Sequence, residues 1–334
     1  MKTKKFENKK PKLKVVFDKK DDAIYHFLSE KYELDILDFE SLTEYPDLAI
    51  FTGGSDVNPD LYSEVMGKYT QVDKKRDIKA QEIYRTLESR TKFLGICRGS
   101  QFLTVMSGGS LIQHVEGHTK SHNIVLGETE QIIEVTSTHH QMLYPYILDD
   151  KQFNLLGWSE KFQSTTYLNG KNQEWNLTKK FLEPEIVFYK NTNSLAIQGH
   201  PEFKGAKQEF KDVTLDLIER LINDNLSEME YTNPYNHIGG SEEKLIIESV
   251  PRDIIINGER QGDMETPRMR IDRQMRRVLN DIRFMQQRLE REGNSIDDRI
   301  YYTTQLNRYR IRQAELTTEL NTILEEEPEQ NLEL

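Results

Sequence analysis

The five residues Gly-Ile-Cys-Arg-Gly at positions 95–99 constrain the fold of this chain more than any other stretch. They follow Lys-Phe-Leu at 92–94, an apolar run that predicts a buried strand, and they precede residues 100–106, which predict a helix. Glycine two positions away on each side of a residue between a strand and a helix indicates a turn that leaves no room for a flanking Cβ. Cys97 would then lie at a helix N-terminus, where backbone N–H groups and the helix dipole favour the nucleophilic thiolate.

A thiolate nucleophile needs a base, and residues 199–203, Gly-His-Pro-Glu-Phe, offer one after a strand predicted at 194–198. His200 would accept and return the proton, and Glu202 would orient the imidazole through its other nitrogen. A lone cysteine is more often a buried structural residue. The glycines around Cys97, together with the His-Pro-Glu sequence downstream, favour the catalytic interpretation.

Four stretches together resemble a known family: residues 51–59, 94–101, 135–141 and 197–202. In content, order and spacing they resemble class I glutamine amidotransferase-like enzymes with a Cys-His-Glu triad. The closer likeness is to γ-glutamyl hydrolases of peptidase family C26, the branch that includes γ-glutamyl-γ-aminobutyrate hydrolase. The resemblance covers about residues 12–225.

This resemblance implies an oxyanion hole made by the backbone N–H groups of Gly54 and Arg98, the residue after the nucleophile. Two fixed donors aimed at a developing oxyanion typically lower a barrier by several kcal/mol. Gly53 lies in the same loop and is expected to contact substrate. Arg76 and Asp77 match a further family position, and we expect them to hold loops rather than react.

The resemblance also implies residues that bind the glutamyl part of a substrate. Gln101, one helical turn after Cys97, is expected to face the pocket. Ser137 and His139 belong to a segment that offers polar groups to the substrate's α-amino and α-carboxylate ends. His139 or His140 could be read as a second base, but of these three histidines His200 alone is followed two residues later by a glutamate.

Histidines at 114, 118 and 122 recur every four residues, a spacing that a helical metal site would use. Gly117 and the polar run Thr-Lys-Ser at 119–121 instead favour a loop. The family resemblance brings no metal chemistry to this segment. We therefore predict no metal and no cofactor.

The N-terminal half alternates short apolar strands with helices. Strands are predicted at 13–17, 34–37 and 48–51, and a helix opens at Asp21 or Asp22. This alternation predicts an α/β fold with a doubly wound, mostly parallel sheet, which the resemblance specifies as the flavodoxin-like glutamine amidotransferase fold. Residues 143–180 have no clear period and suggest a hairpin or a lid-like insert. A helix from about 210 to 226 closes the domain.

Length and composition indicate an appendage to this domain. The 334 residues divide into a catalytic domain at 1–226, a polar linker at 227–265, a helical hairpin or coiled coil at 266–327 and an acidic tail at 328–334. Apolar residues from Ile271 to Leu289 alternate spacings of four and three, which is a heptad seam. The seam predicts a homo-oligomer or a protein partner through 266–327.

Net charge and cysteine content limit the partners and the cellular compartment that the chain is expected to have. A net charge of −11 argues against nucleic-acid or anionic-membrane partners. A single cysteine excludes an intramolecular disulfide, and a reactive thiol suits a reducing compartment, so we expect a cytoplasmic protein. The N-terminus lacks the apolar stretch of a signal peptide, and no run is long enough to span a membrane.

Three functions remain open from the sequence. The first is a hydrolase that cleaves γ-glutamyl amide bonds of small molecules, which an arginine after the nucleophile favours. The second is a glutaminase module that delivers ammonia to a synthetase or ligase docked through the C-terminal helices. The third is an assembly protein whose domain serves as a scaffold, which an intact triad argues against. The sequence does not identify the amine leaving group.

Overall fold

A computed structural model describes residues 9–88, 90–175, 177, 181–231, 233–234, pairs of residues within 271–290, and 296–326. It divides into two compact units, one made of Met1–Asp60 and Glu64–Asn257 and the other of Leu61–Ser63 and Gly258–Leu334. Among the described residues no helix is both long and apolar enough to cross a membrane.

The first unit contains thirteen described strands and four described α-helices. The strands are β1 (Lys12–Phe17), β2 (Glu33–Ile36), β3 (Leu48–Phe51), β4 (Lys92–Ile96), β5 (Ser110–Ile112), β6 (His114–Val115), β7 (His122–Leu126), β8 (Ile132–Val135), β9 (Met142–Tyr144), β10 (Phe153–Ser159), β11 (Tyr167–Leu168), β12 (Pro184–Tyr189) and β13 (Ser194–Ile197). The helices are α1 (Asp22–Ser29), α2 (Lys74–Leu87), α3 (Arg98–Met106) and α4 (Gln208–Ile222). Short 3-10 turns cover Phe39–Ser41, Pro59–Tyr62, Pro145–Ile147 and Lys190–Thr192.

Nine of the described strands form one sheet in the order β2-β1-β3-β4-β13-β12-β10-β7-β8. The five strands from β2 to β13 are parallel to their neighbours, and each later pairing is antiparallel. The α/β class and the parallel sheet predicted from the sequence are thus confirmed for this first half. The antiparallel pairing of the other half was not predicted, and of its strands only β10 comes from the segment 143–180, which has no clear period.

The strand order brings the loops of interest together. β3, β4 and β13 are adjacent and parallel, so their carboxyl ends lie at one edge of the sheet, where open α/β sheets place ligands. The loop with Gly53 follows β3, Cys97 follows β4, and His200 follows β13 within three residues. Residues more than a hundred positions apart in sequence therefore meet at this edge.

The apolar faces of the helices close the core over the sheet. In α1 the side chain of Asp21 caps the helix by accepting from the N–H groups of Ala23 and Ile24 at 3.0 and 3.1 Å. Ile24 and Leu28, one turn apart, are fully buried against the strands of the parallel half. The helix predicted to open at Asp21 or Asp22 is confirmed.

The segment 143–180 is more than the predicted hairpin or lid. It contributes β10, an interior strand of the large sheet between β12 and β7. The pairing with β12 shifts register at Gly157, and such a bulge breaks the alternation by which a strand is recognised in sequence. β11 pairs with β6 outside the large sheet.

The chain after α4 remains attached to the first unit. Leu226 is buried in the core, and the hydroxyl of Tyr231 donates to the carbonyl of Leu155 at 2.7 Å. Asn233 is 2% exposed, and its side-chain oxygen accepts from the Leu155 N–H at 2.7 Å. The linker predicted from 227 therefore starts with a packed segment. The rest of that linker, residues 235–265, lies outside the described residues.

The second unit is helical where it is described. Pairs of residues within 271–290 are helical, and α5 (Ile296–Glu326) follows. Apolar residues of both stretches form one buried cluster: Ile271, Val278, Ile282, Met285, Leu306 and Leu316. A coiled-coil geometry stays a prediction. The acidic tail at 328–334 lies outside the described residues.

Candidate active site

Cys97 occupies a tight turn between β4 and α3. Its backbone has φ 50° and ψ −109°, a conformation that non-glycine residues rarely adopt, and its side chain is 8% exposed. A Cβ on Gly95 would overlap the backbone of Gly99, and a Cβ on Gly99 would overlap the carbonyl of Phe51 on β3. The two glycines are needed because the turn is pressed against its own helix and the neighbouring strand.

His200 lies beside Cys97 because β13 pairs with β4. The Cys97 N–H donates to the Ile197 carbonyl at 2.9 Å, which continues that pairing into the turn. His200 Nδ1 lies 2.7 Å from Glu202 Oε1, so this nitrogen donates to the carboxylate. Burial alone would lower the pKa of His200, but hydrogen bonds to Cys97 and Glu202 raise the pKa to about 10. The imidazolium form of His200 is therefore favoured.

Two further residues, Thr136 and Phe203, fix the His200 backbone and ring. Its N–H donates to the Thr136 carbonyl at 2.8 Å, and the Thr136 hydroxyl donates to the His200 carbonyl at 2.5 Å. The Phe203 ring stacks on the imidazole, with centroids 4.1 Å apart and planes inclined by 14°. The imidazole is thus held in its plane by Glu202 and across its face by Phe203.

The Gly53–Gly54 loop is held by Arg76 from the first turn of α2. Arg76 donates to the carbonyls of Gly53 and Thr52 at 2.7 and 2.9 Å. Its guanidinium also donates twice to Asp18 Oδ2, at 3.0 and 2.9 Å. Gly54 has φ +146°, and a Cβ there would overlap Arg76. The expectation that Arg76 holds a loop is confirmed.

Arg98 is buried below the turn. Its guanidinium donates to the Asp77 carboxylate, and Nη1 lies 3.6 Å from Asp18 Oδ2. The second oxygen of Asp77 accepts from the Asn58 N–H at 3.1 Å, so Asp77 also holds a loop as expected. Arg98 begins α3, and N–H groups of a first helical turn have no partner within the helix. The Arg98 N–H is therefore suited to binding an oxyanion.

The other residues predicted to contact substrate form hydrogen bonds within the protein. Gln101 Nε2 donates to the Gln141 carbonyl at 3.0 Å, and the Ser137 hydroxyl donates to the His118 carbonyl at 2.5 Å. His139 is buried, its Nδ1 donates to the Gln141 carbonyl at 2.9 Å, and burial lowers its pKa to about 4. A role for these side chains in binding substrate stays a prediction. Gly53 lies next to Cys97 and His200, because a Cβ added to it would be 3.2 Å from His200 Cε1.

Three positioning residues were not singled out from the sequence: Asp18, Thr136 and Phe203. Asp18 follows β1, where a carboxylate at the end of a predicted parallel strand was an available signal. Phe203 directly follows the His-Pro-Glu sequence. Thr136 acts through backbone contacts 64 residues away in sequence, which no local pattern reveals.

Comparison with known proteins finds a family model and relatives that match part of the chain. Residues 33–151 match the family model described as Peptidase C26, a range that includes Cys97 and ends before His200. The "Putative glutamine amidotransferase-like protein YvdE" of Lactococcus lactis subsp. lactis is 34% identical over 119 residues. The matched part of the chain is therefore similar to Peptidase C26 and to glutamine amidotransferase-like proteins.

The matches are partial. The match to the L. lactis protein covers 29% of this chain and 50% of that protein, so the chain spans half the length of this relative. Protein NtpR of Enterococcus hirae is 36% identical over 76 residues, which are 22% of this chain and 32% of NtpR. The crystal structure of a glutamine amidotransferase from Thermotoga maritima aligns with 15% identity and a TM-score of 0.37. That alignment covers 70% of this chain and 94% of the T. maritima chain.

Proposed function

We propose that this chain is a cysteine hydrolase that cleaves γ-glutamyl amide bonds, in glutamine or in γ-glutamyl amines. The observation that carries the proposal is the group formed by Cys97, His200 and Glu202. A strained turn at a helix N-terminus presents the thiol, and the neighbouring imidazole is hydrogen-bonded to Glu202, while its interactions with Cys97 and Glu202 raise its pKa. This is the arrangement of nucleophile, base and orienting acid that acyl transfer requires.

In the proposed reaction, Cys97 Sγ attacks the γ-carbonyl carbon of the substrate. The C–N bond breaks, and the amine leaves with the proton that the His200 imidazolium carries. A γ-glutamyl thioester remains on Cys97. Water then gives a proton to His200 as its oxygen attacks the thioester carbon, and glutamate leaves. The thiolate and the imidazolium are restored.

The developing oxyanion would be bound by the N–H groups of Gly54 and Arg98. Arg98 is supported by its place in the first turn of α3, and Gly54 by a backbone conformation that Arg76 maintains. Gly53, Gln101, Ser137 and His139 are proposed to shape the pocket for the glutamyl group. Gln101 and His139 both donate to the Gln141 carbonyl. They would therefore hold the wall of the pocket in addition to contacting the substrate.

A second candidate is a glutaminase that supplies ammonia to a partner enzyme. It is favoured by the second unit, whose two helical stretches share an apolar cluster and carry a 31-residue helix. In that account the helices between 266 and 327 dock a synthetase or ligase. The same helices could equally pair two copies of this chain.

The test is glutamate release by the purified full chain from glutamine and from a panel of γ-glutamyl amines. The hydrolase account expects turnover of at least one compound without a partner. Turnover of glutamine that requires an added partner enzyme would favour the glutaminase. Failure to hydrolyse any γ-glutamyl compound, with or without a partner, would contradict both.

A further inference from the structure

Three histidines and a glutamate meet inside the first unit, away from the Cys97–His200 pair. His118 precedes β7, His122 begins β7, His139 follows β8, and Glu185 lies on β12. Their exposed fractions are 0%, 8%, 3% and 1% respectively. Buried ionisable groups are costly unless they are paired or coordinate a metal, so this cluster needs a physical account.

Each imidazole has one ring nitrogen directed at an oxygen that can only accept. The pairs are His122 Nδ1 with the Lys120 carbonyl at 3.2 Å, His139 Nδ1 with the Gln141 carbonyl at 2.9 Å, and His118 Nε2 with Glu183 Oε2 at 3.3 Å. The Nδ1 atoms of His122 and His139 therefore carry protons, whereas His118 Nε2 lies near Glu183 Oε2 without forming a hydrogen bond. An outer acceptor of this kind is what fixes the tautomer and orientation of a metal-binding histidine.

The other nitrogen of each imidazole points to one atom, Glu185 Oε1. The distances are 3.2 Å from His118 Nδ1, 3.0 Å from His122 Nε2 and 3.7 Å from His139 Nε2. Without an ion, His122 Nε2 donates to this carboxylate oxygen. As metal ligands the imidazoles are neutral at these nitrogens, so three lone pairs and a carboxylate oxygen would then converge. Among the described residues, neither ring nitrogen of His118, nor His139 Nε2, nor Glu185 Oε2 has a hydrogen-bond partner.

The spacing suits a tetrahedral metal ion. Zinc bonds of about 2.0–2.2 Å to nitrogen and oxygen place neighbouring ligand atoms about 3.3–3.6 Å apart. The ligand atoms of His118, His122 and Glu185 all lie within 4.8 Å of one another, and His139 approaches the same oxygen. Modest closure around an ion would reach the required geometry.

We propose that His118, His122, His139 and Glu185 bind one Zn²⁺ ion. Four protein ligands leave no open position, which is typical of a structural rather than a catalytic zinc site. The ion would tie the loop before β7 and the segment after β8 to β12. Gln141, whose carbonyl holds His139, also accepts from Gln101 on α3, so the site would brace the wall next to Cys97.

This proposal replaces the prediction of no metal and explains why spacing alone misled. His114, which belongs to the same four-residue repeat, stacks on Tyr69 with ring centroids 4.0 Å apart and is not part of the cluster. The remaining ligands come from His139 and Glu185, which no local spacing links to His118 and His122. The metal set is assembled by the fold.

The test measures metal binding by the full chain, purified without a histidine tag and stripped with a chelator. Zn²⁺ is expected to bind at one equivalent and to raise the melting temperature. Co²⁺ is expected to give the strong visible absorption of a tetrahedral site. His122→Gln and Glu185→Gln should weaken Zn²⁺ binding at least about tenfold, whereas His114→Gln, the matched control, should bind as the wild type does.

The cluster could instead be held by protons, with imidazolium groups between the two glutamates. In that case wild type would take up no stoichiometric Zn²⁺, its melting temperature would not respond to the ion, and Co²⁺ would give no tetrahedral spectrum. That result overturns the proposal. Equal Zn²⁺ binding by wild type and His122→Gln would also overturn it. If the variants fail to fold, stoichiometry and the Co²⁺ spectrum of wild type still decide.

Discussion

His200 Nδ1 lies 2.7 Å from Glu202 Oε1, only two residues along the chain. The intervening Pro201 restricts the backbone, so the carboxylate meets the ring nitrogen that faces away from Cys97. This contact assigns the proton of Nδ1 and leaves Nε2 for the thiol. In the proposed reaction Glu202 is therefore a positioning residue, which acts through the imidazole.

Glu202→Gln is expected to lower kcat by roughly 10²–10⁴-fold, because an amide neither fixes the imidazole tautomer nor stabilises imidazolium. The measurement is steady-state hydrolysis of whichever γ-glutamyl amide the full chain accepts. Glu209→Gln, on the exposed side of α4, is the matched control and should change kcat little. Equal activity of both variants would remove Glu202 from the mechanism.

The pKa of His200 should depend on Cys97. The folded pKa of about 10 lies above the ordinary value of about 6.5, so the pair stabilises the fold fully below pH 6.5 and loses this contribution as pH rises through 10. Cys97→Ser removes the thiol whose interaction raises the His200 pKa, and should therefore lower that pKa. Histidine NMR titration measures it, with exposed His26 as an internal reference. An unchanged His200 titration would show that the thiol and imidazole do not interact.

Gly54→Ala is expected to reduce kcat by about 10²–10³-fold, the usual cost of losing one oxyanion donor. The added Cβ would strain φ +146° and displace Arg76, which holds the Gly53 carbonyl. Gly205→Ala is a sharp control, because a Cβ there meets nothing within 4 Å. If Gly54→Ala folds and keeps full activity, the Gly54 N–H is not an oxyanion donor.

The segment after α4 should stabilise the first unit. Asn233→Ala removes the acceptor of the buried Leu155 N–H and donors to two further carbonyls, and should lower the free energy of unfolding by about 2–3 kcal/mol. Urea denaturation measures it. Asn123→Ala, on an exposed side chain, should stay within about 0.5 kcal/mol of wild type.

Because Tyr231 and Asn233 pack on the first unit, the C-terminal helices should be removed at a point after Asn233 rather than at Leu226. A chain that ends at Asn257 should keep its hydrolysis and lose any oligomer or partner contact made by 266–327. A chain that ends at Leu226 should be less stable, because it lacks Tyr231 and Asn233. Light scattering and activity assays compare them. Loss of hydrolysis in the longer chain with its fold intact would mean that the tail contributes to catalysis.

Sequence predicted the parts of this site that are written locally. Gly95 and Gly99 are required by the turn in which they lie, so the sequence itself indicates that turn. The predicted bounds of the strand at 48–51 agree with those of β3. Contacts between distant segments were not predictable. Asp18 and Arg76, which are hydrogen-bonded, are 58 residues apart. In β10 a bulge at Gly157 interrupts the alternation of side chains by which a strand is recognised in sequence. The sequence indicated part of the histidine cluster, because His118 and His122 are close in sequence. It did not indicate Glu185, which is 63 residues beyond His122.

The most direct test of the account is the mass of the peptide that contains Cys97, taken from full chain acid-quenched during turnover of a γ-glutamyl amide. Cys97 is the single cysteine of the chain, so a thioester can form nowhere else. The account predicts one glutamyl group on this peptide, which neutral hydroxylamine removes. A glutamyl group on another residue, or undiminished glutamate release by Cys97→Ser, would contradict it.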